Sequence, residues 1–324
     1  MATVLLTGAN GFLGNHIARQ LLEKQHTVRA LLRPDNPTPT LDNLPVERIS
    51  GDLQDRSAVV RAADGCQYII HAAALASVNP ARNKAVWNTN LTGTENVLRA
   101  ARLTNVERLV YVGTANVFGF GTKEQPGNET SPYMGKRYGL DYMDSKYAAS
   151  QRVLQSGVPA VLVHPTFMVG PFDHKPTSGA LLLGLYKGQV AGIPAGGKNY
   201  VHVADVAAAT VNALNYGRTG EQYILGNQNL SYAEAFGIMA EVMNCPVPSF
   251  SVPKRLAWVV GQLCALQYRL TGRAARLNPA MVAVANDGHY FNVQKAIDEL
   301  QLPQTPICNA IRDAFDWFRA NGYC

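Results

Sequence analysis

Between Thr3 and Pro165, short aliphatic runs alternate with longer stretches of helical periodicity, and this alternation constrains the fold more than any other feature. Strands are predicted at Val4–Thr7, Val28–Leu32, Val46–Ser50, Tyr68–Ala72, Arg108–Val112 and Ala160–His164. Helices are predicted from Phe12, near Asp55, over Val86–Leu103 and from about Tyr138 to Gln155. Strands joined through helices cannot pair as hairpins, so they run parallel, and a parallel sheet needs helices on both faces. The expected class is α/β with a doubly wound parallel sheet. After Pro165 helices dominate: Ser231–Asn244, Lys254–Leu270 and Ile307–Ala320 have amphipathic spacing and predict a smaller, mainly helical lobe. Residues 1–170 are expected to form the sheet domain, with a return at roughly 200–225, and 171–324 to form mainly the second lobe. Three long connections, Pro34–Pro45, Phe118–Gly135 and Gly188–Tyr200, are candidates for ligand loops.

Composition matters mainly for what it excludes. With 324 residues, 47% hydrophobic and 16% charged, the chain is of ordinary globular type. The net charge of +6 comes from scattered Lys and Arg without a dense basic run, which argues against nucleic acid and suits an anionic small molecule. Cys66, Cys245, Cys264, Cys308 and Cys324 are odd in number and widely spaced, which points to a reduced, cytoplasmic protein and to no metal site. The first strand begins at Thr3, so a signal peptide is not expected. The most apolar helical stretch, Leu256–Leu266, is interrupted by Gly261 and Gln262, and is expected to be a packed helix and not a membrane span.

Two motifs carry chemistry. The first strand enters Thr7-Gly8-Ala9-Asn10-Gly11-Phe12-Leu13-Gly14, after which Ile17, Leu21 and Leu22 give helical spacing. Glycines between a strand and a helix permit a tight turn at Gly8, close approach of a pyrophosphate at Gly11 and close helix–strand packing at Gly14. The helix N-terminus then offers N–H groups and partial positive charge to phosphates, which makes Gly8, Asn10, Gly11, Phe12 and Leu13 candidate dinucleotide contacts. The second motif is Tyr142-Met143-Asp144-Ser145-Lys146, whose i, i+4 spacing puts a phenol and an ammonium on one helix face. An adjacent cation favours phenolate, so Tyr142 is expected to have a lowered pKa and to act as acid or base.

The Gly-x-x-Gly-x-x-Gly spacing and the Tyr-x-x-x-Lys pair on the helix after the fifth strand together resemble the extended short-chain dehydrogenase/reductase family, over nearly the whole chain. Within it the chain resembles the dihydroflavonol-4-reductase-like members. The resemblance implies a Rossmann-type fold, an NAD(P) cofactor, and a catalytic set of Thr114, Tyr142 and Lys146. Thr114 falls on the family's serine in Gly113-Thr114-Ala115-Asn116-Val117-Phe118-Gly119, where Gly113 and Phe118 each lack a hydroxyl that the family commonly has. It also implies cofactor contacts from Asp52 and Leu53, from Ala72, Ala73 and Ala74, and from Pro165, Thr166, Met168 and Val169, besides a role for Lys146 on the nicotinamide ribose. Asp52 is equally a candidate helix cap, and His71 is read as a packed strand residue.

At the end of the second strand, where an acidic residue would bind the NAD ribose, Arg33 stands instead, and a guanidinium there suits the 2′-phosphate of NADP. Nearby Asp35 keeps NAD open. In His202-Val203-Ala204-Asp205, Asp205 is expected to cap a helix and His202 to touch the second lobe. The leading expectation is an NADPH-dependent reductase of a ketone or aldehyde, working on a small carbonyl or alcohol substrate. A nucleotide-sugar epimerase or dehydratase with tightly held NAD is the alternative, with Arg269, Arg273 and Arg276 as candidate diphosphate ligands. A dinucleotide-sensing module without catalysis is a third reading, disfavoured because Thr114, Tyr142 and Lys146 are all present. The helical run ending in Tyr142 is compatible with a homodimer.

Overall fold

Seven parallel strands form the main sheet of the computed structural model, which describes residues 1–34, 36–271 and 278–324. In chain order they are β1 (Thr3–Thr7), β2 (Thr27–Leu32), β3 (Glu47–Ser50), β4 (Tyr68–His71), β5 (Arg108–Val112), β6 (Ala160–Pro165) and, after the short β7 (Phe167–Val169) and β8 (Gly197–His202), β9 (Gln222–Leu225). Their spatial order is β3-β2-β1-β4-β5-β6-β9. The chain builds outward from β1 in one direction and then restarts at β4 in the other, so a crevice opens beyond the carboxyl ends of β1 and β4.

The helices α1 (Phe12–Glu23), α2 (Arg56–Ala63), α3 (Lys84–Trp87), α4 (Gly93–Leu103) and α5 (Asp141–Leu154) fill the crossovers. Period-two alternation sorts the sheet side chains: Val4 and Leu6 face one core with Ile17 and Leu21 of α1, and Leu5 faces the other with Val59, Val97 and Val153. All of these are at most 1% exposed, and each contributes about 1.5–3 kcal/mol by burial. The stretch expected as one helix over Val86–Leu103 is three pieces, α3, a π turn over Asn88–Thr92, and α4. The cause is Asn90, whose amide bonds the Leu75 N–H at 2.8 Å, the Leu75 carbonyl at 3.2 Å and the Ser145 hydroxyl at 3.1 Å. Regular α geometry yields where that clamp is made.

A second sheet joins β7, β8, β10 (Gln228–Ser231) and β11 (Gly288–His289) around β8. It packs with α6 (Gly179–Tyr186), α8 (Tyr232–Met243) and, near the C-terminus, Ile307–Ala320 in a core containing Tyr200, Phe236 and Phe318. Between β8 and β9, α7 (Val203–Asn212) returns to pack on α1. Its cap is His202, whose Nδ1 accepts the Ala204 N–H at 2.9 Å, while Nε2 meets Asp313 at 3.1 Å. Asp205, expected as the cap, lies inside the first turn, where its carboxylate accepts the N–H and hydroxyl of Thr305 at 2.8 and 2.9 Å.

α9 (Lys254–Thr271) packs on α10 (Pro279–Ala285) but is not the fully packed helix expected. Leu256, Trp258, Val259, Val260 and Leu263 are exposed, because one short helix covers only one side of it. Among the described residues no helix is long and apolar enough to cross a membrane. α11 (Gln294–Leu300) and α12 (Ile307–Ala320) complete the chain.

Candidate active site

At the crevice the backbone itself forms the wall. Gly8 has φ +75°, and a Cβ there would lie 2.7 Å from the backbone of Ala73. The turns after β1 and β4 therefore touch, which only glycine allows. Gly14 sits so close to the Gly8 carbonyl that a side chain has no room, and Gly11 caps α1 without any side-chain hydrogen bond. No acidic residue stands in the first turn of α1, so its N–H groups and positive dipole end face the crevice. This cradle fits a pyrophosphate, and the residues present fit an NAD(P) cofactor.

The surrounding turns are held by buried polar pairs. His71 is 1% exposed and stays neutral, burial pushing its pKa down to about 3. Thr94 donates to the Asn90 carbonyl at 2.6 Å, so its oxygen accepts from His71 Nε2 at 3.0 Å. His71 Nδ1 then accepts from Thr7 Oγ1 at 2.7 Å, and that oxygen in turn accepts the Ala73 N–H at 3.2 Å. His71 thus ties β4 to the Ala72–Ala73 turn, a stronger structural role than simple packing. Ala74 is exposed at the edge of this turn.

Other expected contacts are placed as follows. Asn10 donates to the Pro37 carbonyl at 3.2 Å, fastening the loop after β2 to the glycine turn. Arg33 opens that loop, exposed and with no partner among the described residues; Asp35 lies outside them. Asp52 is not a helix cap: it accepts the Gln54 N–H at 2.8 Å, and Asp55 caps α2 through the N–H groups of Ser57 and Ala58. The Leu53 carbonyl is held by Asn96 at 2.7 Å. Met168 leans on the main core, whereas Val169, 2% exposed, packs into the second-lobe core, so its side chain is turned from the crevice.

The catalytic candidates do come together. Thr114 begins the turn after β5, buried, its hydroxyl accepting the Asn116 N–H at 3.4 Å and near enough to the Tyr142 phenol to favour its ionised form. Burial pushes the Tyr142 pKa up, and the Thr114 hydrogen bond pulls it partly back. Lys146 was expected to lower it. Instead Lys146 is itself 3% exposed, with burial pulling its ammonium down to about 7, so it is not a fixed cation at neutral pH. Its Nζ donates to the Val112 carbonyl at 2.6 Å and lies 4.6 Å from the centre of the Tyr111 ring. The neighbouring Ser145 hydroxyl is the one held by Asn90, so the clamp fixes the pitch of α5 beneath the phenol.

Beside Thr114 a cavity of about 60 Å³ is lined by Asn116, Pro165, Thr166, Lys198, Asn199 and His289 among others. Lys198, Asn199 and His289 were not singled out from the sequence. They come from short strands of the second sheet, where no spacing connects them to the Tyr-x-x-x-Lys helix. Arg273 and Arg276, and the side chain of Arg269, lie outside the described residues.

Comparison with known proteins places this arrangement. Residues 4–226 match the model of the NAD dependent epimerase/dehydratase family. The chain belongs to that family. A putative dihydroflavonol 4-reductase of Synechocystis is 33% identical, over 98% of this chain and 95% of that protein. Sterol demethylase protein B of Methylococcus capsulatus is 29% identical, over 99% of each. The crystal structure of gox2253 superposes with a TM-score of 0.87 at 31% identity, covering 100% of this chain and 99% of that one. This member of the epimerase/dehydratase family is an NAD(P)-dependent oxidoreductase with an extended short-chain fold.

Proposed function

We propose that the protein is an NADPH-dependent reductase of a ketone or aldehyde, with Tyr142 as proton donor. The observation that carries this is the buried Thr114 hydroxyl, which lines a small cavity and acts on the Tyr142 phenol, with Lys146 one helical turn further along α5. The glycine turn and α1 would hold the pyrophosphate, and Arg33 the 2′-phosphate. When bound, the cofactor supplies the hydride.

Tyr142 gives its proton to the carbonyl oxygen, burial keeping the phenol protonated until then. Thr114 donates a hydrogen bond to the same oxygen as charge builds there. Lys146, anchored on Val112, has two further N–H bonds to offer the nicotinamide ribose and restores the Tyr142 proton afterwards. The similarity to a relative named as a reductase, and an exposed Arg33 with no side-chain partner among the described residues, support reduction over sugar-nucleotide epimerisation.

Fluorescence titration with NADPH and NADH tests the assignment. NADPH should bind more tightly, and Arg33→Ala should remove about 10–100-fold of that affinity while leaving NADH unaffected. Tyr142→Phe should keep NADPH binding and lose turnover. NAD that co-purifies and survives dialysis, with Arg33→Ala indifferent, would overturn NADP preference and favour an epimerase.

A further inference from the structure

Lys198, the lysine of the cavity wall, is half-buried and has no polar partner among the described residues. Among the described residues no carboxylate, carbonyl or hydroxyl bonds its ammonium; its contact is the face of Phe167, whose centre is 5.7 Å away. Burial pulls its pKa down to about 8, and no acidic group offsets that loss. An ammonium partly withdrawn from water gains when an anion faces it.

The surroundings repeat the message. His289, in the same wall, is held neutral by burial and by the charges of Lys198 and Arg137. Arg137 is satisfied by Asp287 at 2.8 Å; Lys198 has no equivalent. The His289 ring lies 3.1 Å from the amide oxygen of Asn116, so when Nδ1 donates there the Asn116 amide N–H bonds remain for the cavity. Two donors, one of them cationic, thus stand beside Thr114, and among the described residues no carboxylate meets them.

We infer that the substrate carries a carboxylate close to its reacting carbon, and that Lys198, aided by Asn116, binds it while the carbonyl lies at Thr114 and Tyr142. This rests on the reductase proposed above and narrows it to oxo acids or hydroxy acids. The carboxylate would enter the small cavity that Lys198, Asn116 and Thr114 line together.

Binding is the right readout because it does not require turnover. Benzoylformate and levulinate, each against its methyl ester, would be titrated calorimetrically into the NADP-saturated protein. The acids should bind at least about tenfold more tightly than the esters. Lys198→Met should reduce the acids to the ester level, and Lys198→Arg should keep the preference. Thermal melting of the unliganded Lys198→Met protein should match or exceed wild type, since no internal partner is lost. Acids and esters that are indistinguishable, whether both bind or neither does, overturn the inference. So does a preference that survives Lys198→Met, or a Lys198→Met protein that melts well below wild type. Failure of the reductase proposal shows separately, as NADPH that neither binds preferentially nor is consumed with any carbonyl compound.

Discussion

Two lysines, Lys146 buried and Lys198 half-buried, stand at the candidate site, and their surroundings differ. Lys146 rises from α5, donates to the Val112 carbonyl at 2.6 Å and is drawn to about 7 by burial. Lys198 stands on β8 in a wall of the small cavity, meets the face of Phe167 with no polar partner among the described residues, and is drawn to about 8. A lysine anchored by a main-chain carbonyl keeps its place whether charged or neutral, which suits proton exchange with Tyr142. A lysine with no internal partner gains most when a ligand brings the charge. On the proposed reading, one side of the site moves a proton and the other takes an anion.

Removing Lys146 should break the comparison most severely. Lys146→Met is expected to lower the rate of the chemical step by about 10²–10⁴-fold. Single-turnover oxidation of saturating NADPH by a carbonyl substrate measures it. A loss below tenfold would mean that Tyr142 recovers its proton without this lysine.

The pH dependence of stability separates the two lysines more gently. Each has a folded pKa below its ordinary value of 10.5, so between the two values the unfolded chain binds more protons. Stability of the cofactor-free protein should therefore rise with pH, from about 7 for Lys146 and about 8 for Lys198, towards the ordinary lysine value. Buried phenols such as Tyr142, whose pKa is raised, act in the opposite sense at the alkaline end. Melting temperatures from pH 7 to 10 should climb less steeply in Lys146→Met and, starting one unit later, in Lys198→Met. A flat profile in wild type would show that both ammonium groups are solvated.

The same two lysines mark what could be seen in the sequence. Lys146 was visible because a helix turns i, i+4 spacing into proximity, and the sheet was visible because Val4, Leu5 and Leu6 sort onto its faces by simple alternation. Lys198 was invisible because its neighbours are assembled by tertiary structure. His289 meets Asn116 across 173 positions, and Asn90 meets Ser145 across 55. Local rules also lost to tertiary contacts where they competed: Asp205 was drawn to Thr305 and left the cap to His202, and Asn90 broke a helix whose periodicity ran on unchanged.

The smallest expected effect lies on the Lys146 side, at Gly113. Its sequence context suggested a missing hydroxyl, but the structure gives a steric reason for glycine: a Cβ at Gly113 would lie 2.6 Å from Cε1 of His164 and nearer still to Nδ1. The His164 ring is fully buried, packed edge-on against Phe118 at 4.8 Å and bonded to Gln222 at 3.1 Å, so it cannot step aside. Restoring the hydroxyl with Gly113→Ser should therefore destabilise the protein by about 1–3 kcal/mol through overpacking, not improve catalysis. Urea denaturation measures the loss. Shrinking the ring with His164→Ala should make the serine tolerable, giving a coupling of about 0.5–3 kcal/mol in the double-mutant cycle. Additive losses would mean that Gly113 is required by its backbone and not by the imidazole beside it. In either case Lys198, rooted in the other sheet, should keep its preference for carboxylates in the Gly113→Ser protein, because the clash falls on His164, which does not line the cavity.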